Sequence, residues 1–259
     1  MDRQTTAAYP RLVNIKGDAF EEGRTAFHRG SWGAAFDGLS AADQEAGLEP
    51  EDLERLAIAA WMTGRDADAE DAWLRAHEGH ARLGDPARAA RCAFWQATCL
   101  LFRGEGPPAM GWVARGRRLL EEGGGKSAEH GWLLTLTALP MVFEGDAESA
   151  LPHFTGAIDI AERLGDKDLG VLASLGLAVA MMLQQRTNEA VSLLDEIMVS
   201  VPSEQISPVM VGIAYCQAID ICRRVFDLRR AREWTDALTR WCDAQPDLVP
   251  YRGNCLVHR

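Results

Sequence analysis

One small-residue pattern recurs six times along this chain. It is headed by Ala35, Ala69, Ala109, Ala150, Ala190 and Ala231, at intervals of 34, 40, 41, 40 and 41 residues. A period in this range marks an array of stacked units, none of which can bury its apolar face alone. The flanking positions repeat with it. Five residues before each alanine stand Gly30, Gly64, Gly104, Gly145, Gln185 and Phe226. Four after it stand Leu39, Trp73, Val113, Phe154, Leu194 and Thr235, and seven after it Ala42, Ala76, Gly116, Ala157, Ile197 and Leu238. Twelve before it stand Gly23, Ala57, Ala97, Ala138, Ala178 and Ile219. Offsets of four and three place side chains on one helix face. Each unit is therefore predicted to be a helical hairpin. Its first helix closes at the glycine, where a left-handed residue ends a helix without strain. Its second helix packs a small–large–small stripe back on the first.

Ser31, Asp66, Asp146 and Thr187 stand where second helices begin and are expected to cap their free N–H groups. The predicted fold class is all-α, a right-handed superhelix of stacked hairpins. Residues 1–15 form a tail or cap, and 16–259 form a single repeat domain. Its units run about 16–48, 49–84, 85–124, 125–165, 166–203 and 204–246, with a partial seventh at 247–259. ARLGD at 81–85 recurs as ERLGD at 162–166, each closing a long second helix. The final VPYRGNCLVHR reads as the start of another first helix, so the array is expected to continue past Arg259.

Charge and cysteine usage narrow the function classes. With 38 acidic and 27 basic side chains the net charge is −11. That balance disfavours direct nucleic-acid binding, which needs a basic stripe. No run approaches the ~18 apolar residues of a membrane span. The start, MDRQTTAAYPRLVNIKG, has no apolar segment of a secretory signal. A cytoplasmic, reducing location is expected. None of the six cysteines forms a CxxC pair, and Cys92 and Cys99, seven apart, share one helix face as small core residues.

Motifs that suggest chemistry fail on spacing. His77 and His80 in AHEGHARLG are three apart, whereas zinc-protease helices space their histidines four apart. The pair reads as a solvated helix face. GGGKS at 123–127 fits only the end of a phosphate-binding loop, because Leu119 stands where the first glycine belongs. It reads as a turn between repeats. GEGPPAMG at 104–111 reads as the turn inside unit three, its prolines suited to a helix start. No GxSxG elbow is present. The expected role is non-catalytic, without cofactor or metal.

Small, bulky, then small residues in the second helix, with a small residue in the first, resemble the tetratricopeptide repeat, whose usual period is about 34. Here five units follow, all but one at longer spacing. GDAFEEGRTAFHRGSWGAAFDGLSAA, LAIAAWMTGRDADAEDAWLRAHEGHARLGDPARAARCAFW and WVARGRRLLEEG resemble the repeat region of actinobacterial LuxR-family transcriptional regulators. In that family a helical-repeat sensor or scaffold precedes a C-terminal helix-turn-helix domain. The tetratricopeptide resemblance implies that first helices line a concave face. Its groove positions would be Glu54, Ile58 and Trp61; Arg91, Phe94, Thr98 and Leu101; Trp132, Thr135, Leu139 and Val142; Leu175, Val179 and Met182; and Cys216, Asp220 and Arg223.

From these, the candidate ligand-binding residues are Trp61, Arg91, Phe94, Leu101, Trp132, Leu139, Val179, Met182 and Arg223. Their central part is apolar. It is either an exposed binding strip or the buried core of a tightly closed superhelix. Arg223, Arg224, Arg229, Arg230 and Arg232 are either a dock for an acidic group or a solvated ridge. The expected partner is a protein or peptide segment, or a small ligand, held on the concave face. Competing readings are a free-standing adaptor and an enzyme or enzyme accessory with a small-metabolite channel.

Overall fold

The structure is a computed structural model that describes residues 15–124, 127–202, 205–245 and 247–253. Among these residues lie twelve α-helices and no strand. They are α1 (Ile15–His28), α2 (Trp32–Ala46), α3 (Pro50–Met62), α4 (Asp66–Arg82), α5 (Pro86–Phe102), α6 (Gly106–Gly123), α7 (Ala128–Glu144), α8 (Ala147–Leu164), α9 (Lys167–Leu183), α10 (Thr187–Ser200), α11 (Pro208–Arg224) and α12 (Leu228–Asp243). They pair in order as six hairpins, one for each aligned alanine.

All six hairpin turns share one geometry. The residue five before the alanine has a positive φ in every unit: Gly30, Gly64, Gly104, Gly145, Gln185 at 63° and Phe226 at 59°. The next N–H reaches back to the carbonyl five residues earlier, as Arg65 to Ala60 at 2.9 Å and Asp227 to Cys222 at 2.9 Å. This six-to-one closure satisfies carbonyls at the helix end. Gln185 and Phe226 therefore adopt a conformation that costs an L side chain about 1–2 kcal/mol.

The turn also fixes the capping position, four residues before the alanine. Only Asp146 of the four expected caps bonds the helix, accepting from the Ser149 N–H at 3.1 Å. Ser31 sits at the cap without a side-chain bond, and Asp66 and Thr187 lie one residue inside, behind Arg65 and Arg186. Asp85, Asp166, Ser207 and Asp227 are further side-chain caps.

The aligned small and bulky columns are buried throughout, except that Ala42 is half-buried. Close crossing is visible where α1 meets α2. A Cβ on Gly38 would lie 2.8 Å from the Gly23 Cα. First helices of successive units touch (α1 with α3, α5 with α7, α7 with α9, α9 with α11), whereas second helices do not to a comparable extent. The first helices therefore lie at the smaller radius and line the concave side.

The array curves until its ends meet. The Trp32 indole N–H donates to Gln245 Oε1 at 2.8 Å, across 213 positions of sequence. The Val249 N–H donates to the Met62 carbonyl at 3.0 Å. Residues 247–251 are turns and irregular chain, with helical geometry starting at Arg252. Residues 254–259 and the tail at 1–14 lie outside the described residues.

Candidate ligand-binding groove

The inner helices enclose a cavity of about 230 Å³. Its wall comes from α5 (Phe94, Trp95, Thr98, Leu101, Phe102), α7 (Thr135, Leu136, Leu139, Phe143), α9 (Leu172, Leu175, Gly176) and α11 (Met210, Ile213, Gln217), with Phe154 from α8. Thr98 donates to the Phe94 carbonyl at 2.9 Å and Thr135 to the Trp132 carbonyl at 2.7 Å. Both hydroxyls are thus satisfied within their own helices, and Gln217 is the one amide in the wall. Among the described lining residues none is ionisable. Such a cavity suits an apolar group and offers no acid, base or thiol for chemistry. Phe102 and Phe143 stand at its rim, 69% and 78% exposed.

The candidate residues divide into several places. Phe94, Leu101 and Leu139 line the cavity together. Trp61 is half-buried, its ring 5.6 Å from that of Phe102. Trp132 is only 1% exposed and belongs to an internal network. Its indole N–H donates to Asp166 Oδ2 at 2.8 Å. The Arg91 guanidinium lies 4.1 Å from the Trp132 ring centroid and pairs with Glu129 and Asp166, each at 3.2 Å. Arg91 and Trp132 thereby tie α5 and α7 to the turn before α9. Val179 and Met182 pack half-buried against the main core, outside the cavity lining. Arg223 is exposed at the end of α11.

Sequence reasoning did not single out Phe102 and Phe143, although a signal exists. They occupy the column seven before the alanine, followed in the next unit by Leu183, which is also exposed. Three consecutive large apolar residues at the ends of first helices mark a rim.

The histidine pair needs correction. His77 and His80 are buried, not solvated. His80 continues the second-helix stripe at eleven after the alanine, a column also filled by Leu120, Ala161, Val201 and Cys242. His77 Nδ1 lies 2.8 Å from the Ala89 carbonyl, and because that oxygen only accepts, Nδ1 carries the proton. Burial holds the His77 pKa below the usual imidazole value. His80 Nε2 lies 2.5 Å from Glu54 Oε1, and Cys92 Sγ completes a cluster with atoms within 4.8 Å of one another. Arg88 Nε sits 3.6 Å from the same Glu54 oxygen. That carboxylate already has two cationic or hydrogen-bonding partners, which disfavours adding a metal cation. Burial pushes both Cys92 and Cys99 thiols up, Cys99 to about 12. They pack as small apolar residues.

The arginines of unit six are largely paired along the surface: Arg224 with Asp220 at 2.7 Å, Arg229 with Glu233 at 3.3 Å, and Arg230 with Asp195 at 2.9 Å.

No protein-family model matches the chain, and no curated protein matches it in sequence. Solved structures match it in shape. A Rap protein complexed with competence and sporulation factor gives a TM-score of 0.62 at 13% identity, covering 97% of this chain and 76% of that one. A tetratricopeptide repeat protein from Parabacteroides merdae gives 0.50 at 17%, covering 95% and 87%. This chain is a tetratricopeptide-like helical solenoid. A signal-transduction ATPase with a tetratricopeptide repeat sensor, from Pyrococcus horikoshii, gives 0.51 at 15%, covering 91% of the solenoid and 36% of that protein. Identities this low carry the fold alone. No described helix of the solenoid is long and apolar enough to cross a membrane.

Proposed function

We propose that the solenoid is a protein-interaction module that binds a segment of a partner protein on its concave face. The observation that carries this reading is the apolar cavity rimmed by exposed Phe102 and Phe143. Large exposed aromatics clustered at the mouth of an apolar cavity mark an interaction site. An amphipathic helix or extended peptide would seat an apolar anchor against Phe94, Leu101 and Leu139. Burying one such side chain contributes about 1.5–3 kcal/mol. The Rap complex supports the reading by analogy of fold. We place the module in the sensor or interaction region of a LuxR-type transcriptional regulator. The stretches at 17–42, 56–95 and 112–123 support that context, as does a sensor of similar fold in a signalling ATPase.

A peptide library displayed on phage tests the site. Peptides enriched on the wild-type solenoid should carry apolar anchors and bind the Phe102→Ser/Phe143→Ser variant about tenfold more weakly, the equivalent of 1.4 kcal/mol. Both side chains are exposed, so the variant should keep its melting temperature. Enriched peptides indifferent to the two substitutions would overturn the assignment. The regulator context is tested by the gene: a helix-turn-helix encoded in frame after Arg259 supports it, and an immediate stop codon refutes it.

A further inference from the structure

Beside the cavity, α11 carries a second depression, and the chain's own C-terminal segment sits in it. Gly212 forms its floor. A Cβ there would lie 2.3–2.5 Å from ring atoms of Tyr251. The Tyr251 hydroxyl donates to the Val209 carbonyl at 3.2 Å, and the ring centroid lies 6.0 Å from that of Trp241. Trp61, whose ring meets the rim residue Phe102, lies beside the Tyr251 hydroxyl. Met210 and Ile213 of the same helix line the cavity wall, so one inner helix carries both places.

The segment leading to Tyr251 is held as a bound peptide would be. The Val249 N–H donates to the Met62 carbonyl, a free group at the end of α3. Leu248 is fully buried. The Arg252 guanidinium donates to the Cys242 and Gln245 carbonyls, each at 2.8 Å, at the end of α12. Tyr251 has a φ of 71°, in the left-handed region that Gln185 and Phe226 also adopt, but here on a non-helical segment outside the repeat turns. Such a backbone costs an L residue about 1–3 kcal/mol. A separate peptide, free of the link to α12, need not adopt that conformation.

We propose that the seat over Gly212 is a second subsite of the groove, specific for an extended peptide with an aromatic anchor, and that residues 247–253 occupy it until such a peptide displaces them. The proposal rests on the concave face being the binding face and names the ligand class. Binding would then release the C-terminal segment, coupling occupancy of the groove to the position of whatever follows it.

The probe is a labelled peptide of residues 247–253, DLVPYRG, titrated by fluorescence anisotropy into the full chain. Tyr251→Ala empties the seat and should bind the peptide saturably. Wild type should bind it at least about tenfold more weakly, because its own segment competes at an effective concentration near the millimolar range. The Tyr251→Ala/Gly212→Ala variant should not bind, nor should any protein bind DLVPARG. Equal binding by wild type and Tyr251→Ala, or none by a Tyr251→Ala variant that still unfolds cooperatively, overturns the proposal. If Tyr251→Ala fails to fold, wild type carries the test: saturating peptide must speed tryptic cleavage after Arg252, and an unchanged rate overturns the proposal. The rim test with Phe102 and Phe143 changes neither Gly212 nor Tyr251, and its Phe143→Ser half is remote from Trp61, so the two readings can fail separately.

Discussion

Two glycines on inner helices each receive an aromatic ring, and they do so differently. Over Gly176 of α9 lies Phe154, and a Cβ there would meet the ring at 2.2 Å. Over Gly212 of α11 lies Tyr251, at 2.3 Å. Phe154 is the bulky residue of its repeat, carried by α8 and fully buried. Tyr251 arrives on a non-helical segment, half-buried and with a left-handed backbone. The receptor is the same, a bare strip of inner helix wide enough for a ring. What differs is the tether. A ring delivered by a helix of the preceding hairpin becomes core, whereas a ring delivered by a loose segment is an occupant that can leave.

The comparison is most directly broken at Gly176. Gly176→Ala must push the Phe154 ring out of a packed site, and overpacking of this kind costs about 1–3 kcal/mol. The helix regains about 0.5–1 kcal/mol by losing a glycine, so a net loss measured by thermal denaturation shows that packing dominates. A variant as stable as wild type would mean that Phe154 is no more fixed than Tyr251.

Gly212→Ala makes the same chemical change under the other ring. The segment should swing off, leaving Leu248 and Tyr251 exposed, at a net cost of about 1 kcal/mol once the helix gain is subtracted. Tryptic cleavage after Arg252 should accelerate in this variant but not in Gly176→Ala. Equal protease resistance in both variants would erase the distinction between core and occupant.

Much of the scaffold that positions the two rings is visible in the repeat columns. Gly23, Ala57, Ala97, Ala138, Ala178 and Ile219 are all buried as their spacing requires, and each left-handed turn falls at its aligned residue. Local columns carry that information because every unit meets the same neighbours. The columns also place Phe94, Leu101 and Leu139 on the inner side, where the cavity wall uses them. They do not reveal that Trp132 and Arg91 are taken up by Asp166, a residue 75 positions from Arg91. Nor do they reveal the closure of Trp32 on Gln245, which depends on accumulated curvature and has no local signature.

The turns should be blind to the difference between the two rings. Gln185 closes the unit whose first helix receives Phe154, and Phe226 closes the unit whose first helix receives Tyr251. Each is a non-glycine residue in left-handed geometry, and Phe226 is 86% exposed. Gln185→Gly and Phe226→Gly should each raise stability by up to about 1 kcal/mol, offset in part by greater freedom of the unfolded chain. Denaturation midpoints that rise in one variant but fall in the other would show that the turns, and not only the tethers, distinguish the two regions.

A smaller effect comes from a joint remote from both rings. His77 is buried between α4 and α5, edge-on to Trp112 with centroids 5.0 Å apart. Burial lowers its pKa, so the folded protein keeps it neutral while the unfolded chain takes up a proton below about pH 6.5. The unfolded state then binds more protons, and stability falls as pH drops through and below that value. His77→Asn keeps an N–H that can reach the Ala89 carbonyl and removes the titration. It should lower the melting temperature at neutral pH and flatten its decline on acidification. The gap in melting temperature between Gly176→Ala and Gly212→Ala should stay constant over the same pH range, because His77 is held against Ala89 and Trp112, on helices that carry neither ring. A gap that widens or closes with acid would couple the histidine joint to one of the rings, and the contrast between core and occupant would then need a third element.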